Sequence, residues 1–264
     1  MVERLSQKKR LWVTVMCWLA LCSILPLPIR AEETISKESK KPAGGDPVEL
    51  SPGIFDVPIV LTGPLEKRRE EFRKDFIEAQ TRLRTFACKH GWEKLTGEPF
   101  VKQIEIYDTK DGFDSRMREL CSVDAKTAIP RTFSAGIEKD VFFAVSPEIY
   151  RANYADGRED DDYIKLITHE LAHRLHVRIC GGDEEKMGPM WFWEGFAVYA
   201  AVQLNENPPV LSDSEIWSIV DARERGSYKK YNVVFRHFLK GTPLPDYVKK
   251  AGEPKFRDWL EQSQ

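Results

Sequence analysis

Two histidines four residues apart, with a glutamate directly after the first, stand at His169-Glu170-Leu171-Ala172-His173. On a helix, positions i and i+4 share a face, so both imidazoles can reach one ion while Glu170 stands beside its open side. Two protein ligands do not hold a catalytic zinc; such sites use three and leave the fourth position to water. Six side chains compete for the third place: His176, Asp183, Glu184, Glu185, Glu194 and His237. His176 falls on the ligand face, yet one straight helix wraps three side chains around a tetrahedral ion only with difficulty. Asp183, Glu184 and Glu185 sit in polar sequence, where charge is solvated without a metal. Glu194 lies inside Trp191-Phe192-Trp193-Glu194-Gly195-Phe196-Ala197-Val198-Tyr199-Ala200, where a lone carboxylate is costly unless paired or metal-bound. The metzincin pattern requires a glycine and then a third histidine where this chain has His176 and Ile179, and is excluded.

The elements that would position these groups are legible around them. Asp160, Asp161 and Asp162 open a helix, Arg174 and Arg178 lie near its end as the helix dipole prefers, and Gly181-Gly182 stops it. At 100° per residue, Ile164, Ile167, Leu171 and Leu175 form one stripe, with His169, His173 and His176 roughly opposite. One face is thus expected to pack into a core and the other to line a cleft. A second apolar helix is expected from Pro189 to about Leu204, where Gly195 permits close approach to a neighbour. Upstream, Pro64 to Lys89 has the pattern of a helix covering a sheet, and Ile104 to Tyr107 that of a short alternating strand. Phe113 to Leu120 suggests a helical turn or two. Ala128 to Gly136 reads as irregular. Val141 to Val145 is an apolar strand with two readings: an edge strand against which an extended peptide could pair, or a buried one. Sequence beyond Leu204 is mostly helical, including about Tyr228 to Lys240. The expected fold class is α+β.

His-Glu-Leu-Ala-His at 169–173, with twenty residues between His173 and Glu194, and then Trp-Glu-Gly-Phe-Ala-x-Tyr at 193–199, resembles the gluzincin metallopeptidases, especially the small bacterial peptidase MA-like proteins. The specific likeness covers about Ile164 to Ala201. It implies a zincin-like two-lobed fold, strand-rich before the motif helix and helical after it. It also implies a Zn2+ ion held by His169, His173 and Glu194, with Glu170 as catalytic base. The implied reaction is peptide-bond hydrolysis by a zinc-bound water that Glu170 activates. For stabilising the developing oxyanion, Tyr231 and His237 are the candidates, and Tyr231 shares an inward stripe with Val234, Phe235 and Phe238. Core packing also explains Tyr231. The rival reading is a non-catalytic or non-peptide-acting metal-binding envelope protein using the same fold.

The beginning of the chain has the form of a secretory signal. Lys8, Lys9 and Arg10 precede an apolar run from Leu11 to Leu27, with Ala31 before Glu32. Residues 1–31 are expected to be a cleaved signal peptide, 32–53 a flexible linker and 54–264 the metallopeptidase domain, placed outside the cytoplasm. An uncleaved anchor is the alternative; the run is short and ends in prolines, so no stable membrane insertion is expected after cleavage. The formal net charge is −2 for the whole chain and more acidic without the basic leader, which points to no nucleic-acid partner. A peptide or protein substrate is the expected partner. Cys17 and Cys22 fall in the leader; of Cys88, Cys121 and Cys180 an exported protein can pair two, and Cys88 with Cys121 is the expected pair.

Overall fold

The computed structural model describes residues 51–155 and 158–263; the expected signal peptide and nearly all of the expected linker lie outside them. Ile54 is the first buried hydrophobic residue among those described. Four strands form one sheet in the order β1 (Ile59–Leu61), β2 (Gln103–Tyr107), β4 (Val141–Val145), β3 (Ala135–Glu138). β1, β2 and β4 run parallel, and β3 pairs antiparallel with β4. The two readings of Val141 to Val145 are thereby resolved. That strand is interior, and the edge strand beside it is β3, whose first residues fall in sequence that reads as irregular.

Helices on both faces explain why β4 is apolar throughout. Neighbouring strand residues point to opposite faces. Phe142 meets Phe76 of α1 (Arg69–Lys89) at 5.9 Å, and Phe143 meets Phe113 of α2 (Lys110–Cys121) at 5.4 Å. A strand covered on both sides has no reason to alternate. Glu105 of β2 is in register with Phe143 and so points toward α2, where it is 3% exposed. Its two oxygens accept from Arg116 at 2.8 and 2.7 Å, from Tyr107 at 2.6 Å and from Gln103 at 2.7 Å. Charge-assisted bonds of this kind offset the burial of a carboxylate.

The opposite placement of α1 and α2 also overturns the expected disulfide. Cys88 ends α1 on one side of the sheet and Cys121 ends α2 on the other. Cys88 is exposed, Cys121 buried, and both are free thiols, as is Cys180. A bridge requires Cα atoms within about 7 Å, which a sheet lying between two helices does not permit.

The motif helix is α4 (Asp162–Ile179), which follows the short α3 (Pro147–Asn153). It packs beside α1, with Tyr163 and Phe72 rings 6.2 Å apart, and Tyr163 donates to Val145 O at 2.8 Å. Both of its ends are tied down. Asp162 is buried and accepts from Arg151 at 2.7 to 3.1 Å. Arg178 donates to Leu95 O, Glu98 O and Pro99 O at 2.7 to 2.9 Å and lies 4.3 Å over the Phe100 ring. Arg178 thus serves the loop before β2 as well as the dipole of its own helix.

The rest of the described chain is helical: α5 (Met190–Ala200), α6 (Asp213–Val220), α7 (Tyr228–Leu239), α8 (Leu244–Ala251) and α9 (Phe256–Gln262). Phe192 of α5 anchors their core, with Phe235, Tyr247 and Phe256 rings 4.8 to 5.4 Å away. Gly195 has the close-approach role its position suggested: a Cβ there would lie 2.8 Å from Phe235 Cβ and 3.1 Å from Tyr231 O. The architecture is mixed α and β, a small sheet between helices followed by a helical half. Among the described residues, no helix is long and apolar enough to cross a membrane.

Candidate metal centre

α4 presents His169 and His173 one turn apart, and α5 brings Glu194 across to them. Their Nε2 atoms are 3.1 Å apart, and Glu194 Oε2 lies 3.3 Å from His169 Nε2 and 3.4 Å from His173 Nε2. A tetrahedral ion with bonds of about 2.0–2.1 Å needs ligand atoms about 3.3 Å apart. The observed triangle therefore has the size of one face of such a tetrahedron. Protons satisfy this triangle poorly, because an N–H directed at one corner points away from the other. The three residues, two buried and one partly so, can together hold a metal ion.

Glu194 is 2% exposed, and its second oxygen is held from behind. Oε1 accepts from Tyr228 Oη at 3.0 Å and from Arg225 Nη2 at 3.2 Å, and the Arg225 guanidinium lies 4.7 Å over the Tyr228 ring. Burial pushes the Glu194 carboxyl upward, but Arg225 and the two histidines outweigh it and hold it well below the usual carboxylate range. For His173, burial opposes the charged form, and Glu194 overcomes it and raises the imidazole. A carboxylate kept charged beside imidazoles is what a cation would meet.

The site opens on a cleft of about 730 Å³ that Glu170 also lines. No family model, curated protein or solved structure matches this chain. The geometry of the site thus carries the functional reading. One wall of the cleft is Ser134 to Ile137, mostly edge strand β3, and the other includes Arg223 to Ser227 between α6 and α7 and Tyr228 at the start of α7.

Of the sequence candidates, His169, His173 and Glu194 come together, with Glu170 on the cleft and outside the ligand triangle. Glu184 lines the cleft wall, whereas Asp183 is off it and caps its own turn, accepting from Glu185 N at 3.2 Å and pairing with Lys186 at 3.1 Å. His176 shares the helical angle of the ligands but lies one turn further, where α5 crosses α4. It is fully buried, with Phe196 and Phe192 rings at 4.4 and 5.9 Å and no hydrogen bond on either nitrogen. Burial, aided by nearby His173, pushes its imidazole down to about 3. The structure places Tyr231 in the core at 2% exposure and off the cleft, where its hydroxyl accepts from the Gly226 amide. His237 is also off the cleft. Arg225 and Tyr228 were not singled out by sequence reasoning. Their signal is a cationic Arg-Glu-Arg run against a helix start, whereas the inward stripe of that helix leads into the core.

Proposed function

We propose that this chain is an exported zinc metallopeptidase of the gluzincin type that hydrolyses peptide bonds with Glu170 as general base. The reading rests above all on the triangle of His169, His173 and Glu194, whose edges suit a tetrahedral zinc, with Glu170 on the same cleft. When bound there, zinc would bring the pKa of a water to about 7 and polarise the scissile carbonyl.

The chain's own groups do the remaining work. Glu170 follows His169 on α4, about 100° around the helix, so its carboxylate faces the cleft beside the ligands rather than joining them. It accepts the attacking water's proton and returns it to the leaving amine, a contribution of about 10² to 10⁴ in rate. β3 lies at the sheet edge and forms a cleft wall, so an extended peptide can pair with it through main-chain hydrogen bonds. Export rests on the leader sequence alone.

The test is metal analysis of the purified protein, followed by a peptide-library screen before and after chelation. One zinc per chain with chelator-sensitive cleavage supports the reading. Stoichiometric zinc with no peptide cleaved, but with an amide of another class hydrolysed, would replace the substrate assignment. No bound metal would end the metallopeptidase reading.

A further inference from the structure

Metal-binding histidines usually donate their second ring nitrogen to a carboxylate or carbonyl, and that outer partner fixes their orientation. Here His169 Nδ1 is buried without a hydrogen-bond partner. The directional contacts behind the centre fall instead on Glu194. Its Oε1 takes Tyr228 Oη at 3.0 Å and Arg225 Nη2 at 3.2 Å, while Oε2 points at both imidazoles at 3.3 and 3.4 Å. Arg225 comes from the connection into α7 and Tyr228 is the first residue of that helix, and they brace each other, guanidinium over ring. The Tyr228 ring also sits 5.6 Å from that of His169.

We infer that Arg225 and Tyr228 are positioning residues that hold Glu194 as a one-oxygen metal ligand, committing Oε1 to themselves and leaving only Oε2 for the ion. This inference rests on the proposed metal centre. A carboxylate released from behind can rotate and offer both oxygens, which raises the coordination number from four to five with the water still bound and crowds the position kept for it. Two donors on one oxygen oppose that rotation, and the guanidinium keeps the carboxylate ionised in a buried setting. The Tyr228 hydroxyl is committed to Glu194 and acts through it.

The test uses the full chain produced in an exporting host, with zinc affinity measured by competition against a chromophoric chelator. A second readout is the visible spectrum of the cobalt(II)-loaded protein. Arg225→Ala and Tyr228→Phe are each expected to weaken zinc binding by about 10- to 100-fold, the usual effect of losing an outer partner. Their cobalt spectra should lose the intensity of a four-coordinate site and take on the weaker bands of five coordination. Lys230→Ala removes a like charge from the exposed first turn of α7, off the cleft, and should change neither. Tyr228→Phe keeps the ring contacts, so a folding defect would not account for its effect. If the parent binds zinc and both variants match it in affinity and spectrum, the inference is wrong and the proposed centre stands. A parent that binds no metal overturns both.

Discussion

His176→Phe isolates one buried group and carries a definite magnitude. The parent imidazole is enclosed by aromatic rings, makes no hydrogen bond and is pushed down to about 3, chiefly by burial. In the unfolded chain it titrates near 6.5. Because the folded value is the lower one, the neutral group favours folding fully above about pH 6.5, and that stability is lost as pH falls toward the folded value. Between pH 7.5 and 5 the loss is about 2 kcal/mol, at 1.36 kcal/mol per unit below 6.5. Phenylalanine cannot titrate. Its extra ring atom has a packing cost in a tight slot, but that cost is the same at both pH values. Urea unfolding of parent and variant at both pH values, with metal chelated throughout, gives two stability differences. Every other titratable group is common to both proteins, so its contribution cancels to first order. The difference should move toward the variant by about 2 kcal/mol on acidification. A difference that stays constant within about 0.5 kcal/mol would show that His176 is hydrated or hydrogen-bonded in solution, and would refute the burial reasoning.

Glu170→Gln should retain zinc while turnover falls by about 10² to 10⁴; wild-type turnover with zinc bound would sink the general-base assignment. Glu194→Ala should lose the metal, whereas Glu185→Ala, in an exposed turn, should keep it, so equal zinc content by elemental analysis would contradict the ligand set. Gly195→Ala places a methyl 2.8 Å from Phe235 Cβ and should cost about 1–3 kcal/mol as α5 and α7 move apart; an unchanged denaturation midpoint would show that the contact relaxes freely.

The candidate metal group was legible because it sits in local patterns. The i, i+4 spacing of His169 and His173 places both on one face, and the apolar setting of Glu194 singles it out among the acids. Long elements with one dominant period, α1, α4 and α7, read correctly for the same reason. What escaped were features created by tertiary contact. β3 is four residues long and contains Gly136, so it has too little alternation to announce itself. Whether Val141–Val145 is an edge or an interior strand depends on what pairs with it. The helical angle of His176 matches that of the ligands, and only the crossing of α5 separates them. Tyr231 and Tyr228 are one turn apart on α7. The inward stripe correctly marked Tyr231 as buried, but the cleft lies at the start of the helix, where a stripe has no meaning.

The anchors at the two ends of α4 divide the cleft into walls of different mechanical character. Arg151 on Asp162 and Arg178 on three loop carbonyls fix the helix that carries His169, Glu170 and His173, and Tyr163 ties it to the end of β4. The connection from Asp221 to Ser227 has mostly exposed side chains, and its holds on the centre pass through Arg225 and the Gly226–Tyr231 contact. The motif helix is thus the more firmly tied of the two walls, and the connection, anchored at its start by Arg257 on Asp221, is the more exposed one. Displacing this connection would pull on the guanidinium that touches Glu194, so that its position and the geometry of the candidate metal group are linked through Arg225, with Tyr228 at the start of α7 as the second hold.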